Sequence, residues 1–314
     1  MRNNLLSLTL LCLCMVASHA FAQQESLQCR EIRLGETGWV DNVATTGMAM
    51  ALAQSIGYQP SKTMVTSLIA FTSMQSGRLD AFLGGWSPAL DPSLKPLVEQ
   101  GKLYQVPVPN LQGAKYTLAV PDYAAEQGLR SFQDIAKFKD ALGGRIYGIE
   151  PGAGGNKLIK SMIDQNLYGL GQFSLIESSE AGMRSEVARA ISRKKPIVFL
   201  GWAPHPMNSQ FKMTYLSGGD EVFGADFGAA KVYTITSKEY SERCPNAARL
   251  IANLKFNVDV ESELMVGVLD KQNSIEVAKA WIKRNPQWLN TWLAGVTTFE
   301  GKEALPTAQK YFGL

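Results

Sequence analysis

Three tryptophans in this chain each directly follow a glycine: Trp39 in "ETGWVD", Trp86 in "FLGGW" and Trp202 in "FLGW". Each closes an apolar, strand-like run, and Tyr116 in "GAKYTLA" stands where another such run begins. A tryptophan at a strand end is often a plug at the rim of a core. Three in equivalent positions predict rings that converge on one volume, with glycine leaving the ring faces open. Converging π-faces suit a cation without hydrogen-bond donors, such as a trimethylammonium group, at about 0.5–2 kcal/mol per ring. Stacked rings can also grip a sugar or a flat heterocycle. A sugar needs several fixed donors and acceptors, and the polar set near these rings is small.

Asp41, two residues after Trp39, is the candidate counter-charge. Its carboxylate would neutralise a cation, accept a hydrogen bond from an alcohol, and repel the carboxylate of a zwitterion. A second use is as a helix N-cap, because a helical pattern follows at once. Asn156 lies in "EPGAGGN", where Gly154 and Gly155 would expose backbone N–H groups at a helix start and favour an anion or a lone-pair acceptor. That turn also reads as a plain glycine turn capped by Asn156. It lacks the Walker spacing and the hydroxyl residue after Lys157. His205, between Pro204 and Pro206, reads as a structural hydrogen-bonding residue with a secondary claim on the site. No "GxSxG" and no triad order accompany it, so the pattern points to binding without catalysis.

The elements that must position these residues alternate. "EIRLGE" reads as a strand and "NVATTGMAMALAQSIGY" as a helix, followed by "SKTMVTS", the helical "IAFTSMQSGR", and the buried strand "LDAFLGGW". From residue 115 the theme restarts with "KYTLAVP", a helix "SFQDIAKFKDAL" opened by Ser131, the strand "RIYGIEPGAGG", and the helix "NKLIKSMIDQN". "FSLIES", "GMRSEVARAISRK" and "PIVFLGW" continue strand, helix, strand. This order predicts an α/β protein with mostly parallel sheets flanked by helices, in two lobes. The tail from Cys244 is largely helical, with breaks at Asn257 and Pro286.

The 314 residues carry 31 basic and 28 acidic side chains, a net charge of +3, and no basic block that would suggest nucleic acid. Two histidines, His19 and His205, are too few for a His-based metal site, and nothing calls for a cofactor. Arg2, the apolar run Leu5–Ala17 and "AFA" read as a signal peptide over residues 1–22, cleaved after Ala22. That leaves Cys29 and Cys244, which in an oxidising compartment most simply form one disulfide; two separate buried thiols are the other reading. A bridge would put residues 23–113 and 239–314 in lobe 1 and residues 114–238 in lobe 2, reached by two crossover segments.

The motifs "GWVD", "FLGGW", "GAKYTLA", "IYGIEPGAGGN", "FLGWAPHPMN" and "MTYLSGG" occur in this order along the chain. In this the sequence resembles the periplasmic choline-binding proteins of bacterial ABC importers, within the glycine-betaine/quaternary-amine class. The resemblance implies a type II periplasmic-binding-protein clamshell, monomeric, that closes on choline and serves an inner-membrane permease. It implies an aromatic cage of Trp39, Trp86, Tyr116 and Trp202, a hydroxyl end held by Asp41 and Asn156, and the Cys29–Cys244 bridge. Carnitine or glycine betaine is the alternative ligand, with His205 and the amides of Gly154 and Gly155 as donors to its carboxylate; an enzyme acting on a quaternary amine is the remote one. Two positions depart from the family pattern: Gly85, where Asn is expected, and the small Ala153-Gly154 pair.

Overall fold

A computed structural model describes residues 25–314, so the signal-peptide reading of residues 1–22 lies outside the described residues. Ten strands form one continuous sheet: β1 (Glu31–Glu36), β2 (Gln59–Met64), β3 (Ala81–Ser87), β4 (Leu103–Gln105), β5 (Leu111–Pro121), β6 (Arg145–Tyr147), β7 (Ser174–Ile176), β8 (Phe199–Ala203), β9 (Met213–Tyr215) and β10 (Ala229–Ser237). The main path runs β2-β1-β3-β10-β5-β8-β6-β7, with β4 on β10 and β9 on β5. Parallel pairs lie at the two ends, β2-β1-β3 and β8-β6-β7. The two long strands between them, β5 and β10, run antiparallel to each other and to every other strand they touch. The sheet is therefore mixed, not mostly parallel, because β5 and β10, which lie between the two parallel groups, each run against the group they adjoin.

Helices cover both parallel groups. Helix α1 (Val40–Ser55) follows β1 and is buried along nearly its whole length, which explains the run of small residues in "ATTGMAMALA". It packs against the Val258–Leu269 and Ser274–Arg284 helices of the tail. Gly47 is the point of closest approach: an added Cβ would lie 2.6 Å from the Ser274 side chain. Helix α2 (Ser67–Gln75) begins at Thr66, whose hydroxyl accepts the Ile69 N–H, and α3 (Asp91–Glu99) follows β3.

The tail is anchored to the start of β1 by the Cys29–Cys244 disulfide, which closes a separation of 215 residues. Beside it, buried Asp80 receives the Arg33 guanidinium and main-chain N–H and a further bond from Arg243. A carboxylate buried to 1 % exposure needs that pairing. Tail helices Pro245–Asn253, Val258–Leu269 and Ser274–Arg284 are separated by Asn257 and Asn273, whose side chains accept the first helical N–H groups. Among the described residues no helix is long and apolar enough to cross a membrane.

Candidate functional site

The strand ends of both parallel groups face one another across a cavity. From the first group come Trp39, Asp41, Trp86, Ala89 and Leu90; from β5 and the second group come Tyr116, Ile149, Gly154 and Trp202. All four expected aromatic residues thus line one space, and Asp41 is the one ionisable carboxylate among the lining residues.

Each ring is placed by its backbone element. Tyr116 and Trp202 are register partners in the antiparallel β5–β8 pair, so their side chains emerge on the same face. Their centroids are 6.0 Å apart at 76°, and Trp86 stands 5.7 Å from Tyr116 at 51°. Trp39 is the N-cap residue of α1, preceded by Gly38 at a φ of 81°, a turn that a side chain at residue 38 would strain. The Gly85 departure does not face the cavity. Alternation sends Trp86 toward the cavity, whereas a Cβ on Gly85 would lie 2.7 Å from the Tyr233 carbonyl oxygen on β10.

Asp41 does not cap its helix. It sits in the first turn of α1, and its Oδ2 accepts the Trp86 indole N–H at 3.1 Å. Burial pushes its carboxyl up, and the nearby Glu180 carboxylate pushes the same way. The Trp86 indole and the first α1 amides oppose them, and the result is about 7 where 3.8 is ordinary. Both protonation forms of Asp41 are therefore populated near neutrality, and a cation in the cavity would favour the ionised one.

Asn156 is placed differently from the sequence expectation. It is not among the residues lining the cavity. Its Oδ1 accepts the Ile149 N–H, and its amide donates to the carbonyls of Ile149 and Glu150 and to Glu177 Oε1. The carboxamide is spent on holding the turn after β6. Gly155 gives room to Tyr116, since a Cβ there would lie 2.3 Å from the phenol oxygen. Gly154 packs against the Ala89 carbonyl of the facing group, 2.6 Å from where its Cβ would be.

His205 is buried with both nitrogens engaged. Nδ1 accepts the Met207 N–H at 2.8 Å, so the ring proton lies on Nε2, which donates to Glu180 Oε1 at 3.0 Å. It packs edge-on against Trp202, at 4.9 Å between centroids, and holds no donor toward the cavity.

Two residues that the sequence reading passed over join the two groups. Glu180, at the start of the Glu180–Ser192 helix, accepts the Val40 N–H at the N-terminus of α1 through Oε2, at 2.9 Å. Glu150, on the turn held by Asn156, accepts the Trp39 indole N–H at 2.9 Å from each oxygen. Burial raises the Glu150 carboxyl, against the pull of the Trp39 indole. The available signal was positional: all three acids stand where a strand gives way to a helix, Glu150 on the turn and Asp41 and Glu180 in the first helical turn.

A family model for the substrate-binding domain of ABC-type glycine betaine transport systems matches residues 30–284. The chain is 34% identical over 158 residues to a glycine betaine/carnitine transport binding protein of Listeria monocytogenes, a match covering 50% of this chain and 52% of that one. Among solved structures it is similar to an ABC-transporter choline-binding protein in complex with choline, at 42% identity and a TM-score of 0.90, covering 92% of this chain and 100% of the other. An unliganded, semi-closed choline-binding structure gives 43% identity and a TM-score of 0.84, covering 91% and 100%. The fold is that of the type II periplasmic binding proteins, and the chain belongs to the family of substrate-binding domains of ABC-type glycine betaine transport systems.

Proposed function

We propose that this chain is the solute-binding subunit of an ABC importer and that its ligand is choline. The observation that carries this reading is the lining of the cavity: four aromatic residues and a single ionisable carboxylate, with no cationic side chain among them. Such a lining stabilises a quaternary ammonium group and a hydroxyl, and sets no cationic side chain against a ligand carboxylate. The similarity to a choline-bound structure supports the same ligand. Glycine betaine and carnitine, the ligands named for the Listeria relative, carry a carboxylate that would meet Asp41 while His205 is already committed to Glu180.

On this reading residues 23–113 and 239–314 form one lobe, residues 114–238 the other, and ligand closes them. The higher similarity to the choline-bound than to the semi-closed relative supports a closed arrangement here. The protein acts in the periplasm as a monomer after cleavage at Ala22, hands choline to a permease, and performs no chemistry on it. Asn156 contributes by fixing the turn, not by touching the ligand.

Calorimetric titration with choline, acetylcholine, glycine betaine and carnitine tests the assignment. Choline is expected to bind most tightly. Tight carnitine or betaine binding with no heat from choline would overturn it.

A further inference from the structure

Resting on the quaternary-amine reading, we propose that Glu150 is a specificity-determining positioning residue: it acts through the Trp39 indole to set both the orientation and the electron density of one cage wall. Both oxygens of Glu150 lie 2.9 Å from Trp39 Nε1, and the bond joins residues on opposite sides of the cavity. The second wall has the same device, because Asp41 Oδ2 accepts the Trp86 indole N–H. Two of the three cage indoles are thus gripped at the nitrogen edge by a carboxylate, while their rings line the cavity.

The chemistry follows from the indole. An N–H held by a carboxylate makes a charge-assisted bond, which polarises electron density away from the nitrogen proton and into the ring. The ring face becomes more negative, and attraction for a cation through the quadrupole grows. A neutral ligand of the same shape gains nothing from this. Glu150 touches no ligand in this scheme; it belongs to the turn that Asn156 holds through the Ile149 and Glu150 carbonyls. The chain of support runs from Asn156 to the turn, to Glu150, to Trp39. Before the two sides meet, Trp39 lacks this partner, so the wall is completed only by closure.

The test compares tetramethylammonium with 3,3-dimethylbutan-1-ol, the uncharged carbon isostere of choline, on the full chain and on E150Q, W39F and the double variant. Gln keeps an acceptor and the shape, and ligand-free melting checks that each variant folds. E150Q is expected to weaken tetramethylammonium roughly five- to tenfold and to leave the neutral isostere nearly unchanged. In the W39F background, which keeps a ring and lacks the N–H, E150Q should have no further effect. The Trp39 indole resonance in nitrogen-15 spectra should shift downfield on ligand addition in the parent and less so in E150Q. Equal losses for cation and isostere, or an undiminished E150Q effect in W39F, would overturn the inference while leaving the quaternary-amine reading intact. A parent chain that binds neither choline nor tetramethylammonium would overturn both.

Discussion

Trp39, Trp86 and Trp202 line a space; Trp281, Trp288 and Trp292 fill one, and these six are all the tryptophans of the chain. The tail rings pack on one another with centroids 5.2–6.0 Å apart, and Phe256 adds a further ring against Trp292. Trp281 and Trp292 are buried, and their indoles donate to Glu263 and to the Lys255 carbonyl. A carboxylate on an indole is therefore found in both places and does not by itself define a site. What differs is the backbone beneath. The tail rings come from helices, where a side chain at one turn meets its neighbours on the next. Three of the four cage rings stand in strands that meet their partners edge to edge, and Trp39 follows a fourth, so their ring faces can remain uncovered toward a gap.

This contrast can be broken in four ways, starting with the largest effect. The tail cluster is held to β1 by the disulfide, so replacing Cys29 and Cys244 by serine should lower stability by up to about 4–5 kcal/mol in the chain-entropy model. Urea unfolding of the ligand-free protein measures it; no loss would mean that packing alone holds the tail. Trp292→Ala opens a hole in a filled cluster and should cost about 3–5 kcal/mol of stability while the folded fraction keeps its choline affinity. Trp202→Ala should reverse the emphasis, with roughly 1–2 kcal/mol or more of choline affinity lost by calorimetry. If Trp292→Ala weakened binding as much as Trp202→Ala after correction for unfolded protein, the division between the clusters would fail.

The fourth effect is the mildest and concerns shape. Asp41 is held at about 7 where it is buried, and on the proposed clamshell reading a carboxyl exposed by opening would return toward its ordinary 3.8. Between those values closure without ligand takes up a proton, so acid favours the empty closed form. Above 7 the empty cavity must bury a charge near Glu180, and closure is disfavoured unless a cation arrives. X-ray scattering should find the ligand-free protein more compact at about pH 5.5 than at about pH 8, and the choline-loaded protein compact at both. Equal compaction of the empty protein at both values would remove Asp41 from the closing equilibrium. Trp292→Ala leaves Asp41 and its surroundings in place and should keep the same dependence.

The sequence made the local strands and the ring positions legible because both depend on short-range patterns. "EIRLGE" is β1 as read, "FLGGW" falls in β3, and Asn257 separates two tail helices as expected. Long-range pairing was not legible. β10, "AAKVYTITS", escaped notice as a strand although it binds β3, β4 and β5, since its place in the sheet is set by partners far away in sequence. "SFQDIAKFKDAL" reads as one helix and forms three short pieces instead, Phe132–Ile135, Ala136–Phe138 and Lys139–Leu142. At the site, side-chain types gave the cage rings, but the roles of Glu150, Glu180 and Asn156 depend on what lies across the cavity. A glycine-rich turn ending in Asn looked like a place to hold a ligand; its Asn is consumed by the turn itself.

The contact between Gly154 and the Ala89 carbonyl has a consequence for how the two halves of the molecule measure one another. With no side chain at residue 154, backbone meets backbone, and the seam has a thickness that no rotamer can adjust. It behaves as a gauge block. The depth of the cavity behind it is set by main-chain geometry, and a single methyl group inserted there would hold the jaws ajar by a fixed amount. The gap is thereby calibrated by main chain at two residues, Ala89 and Gly154, that themselves line the cavity.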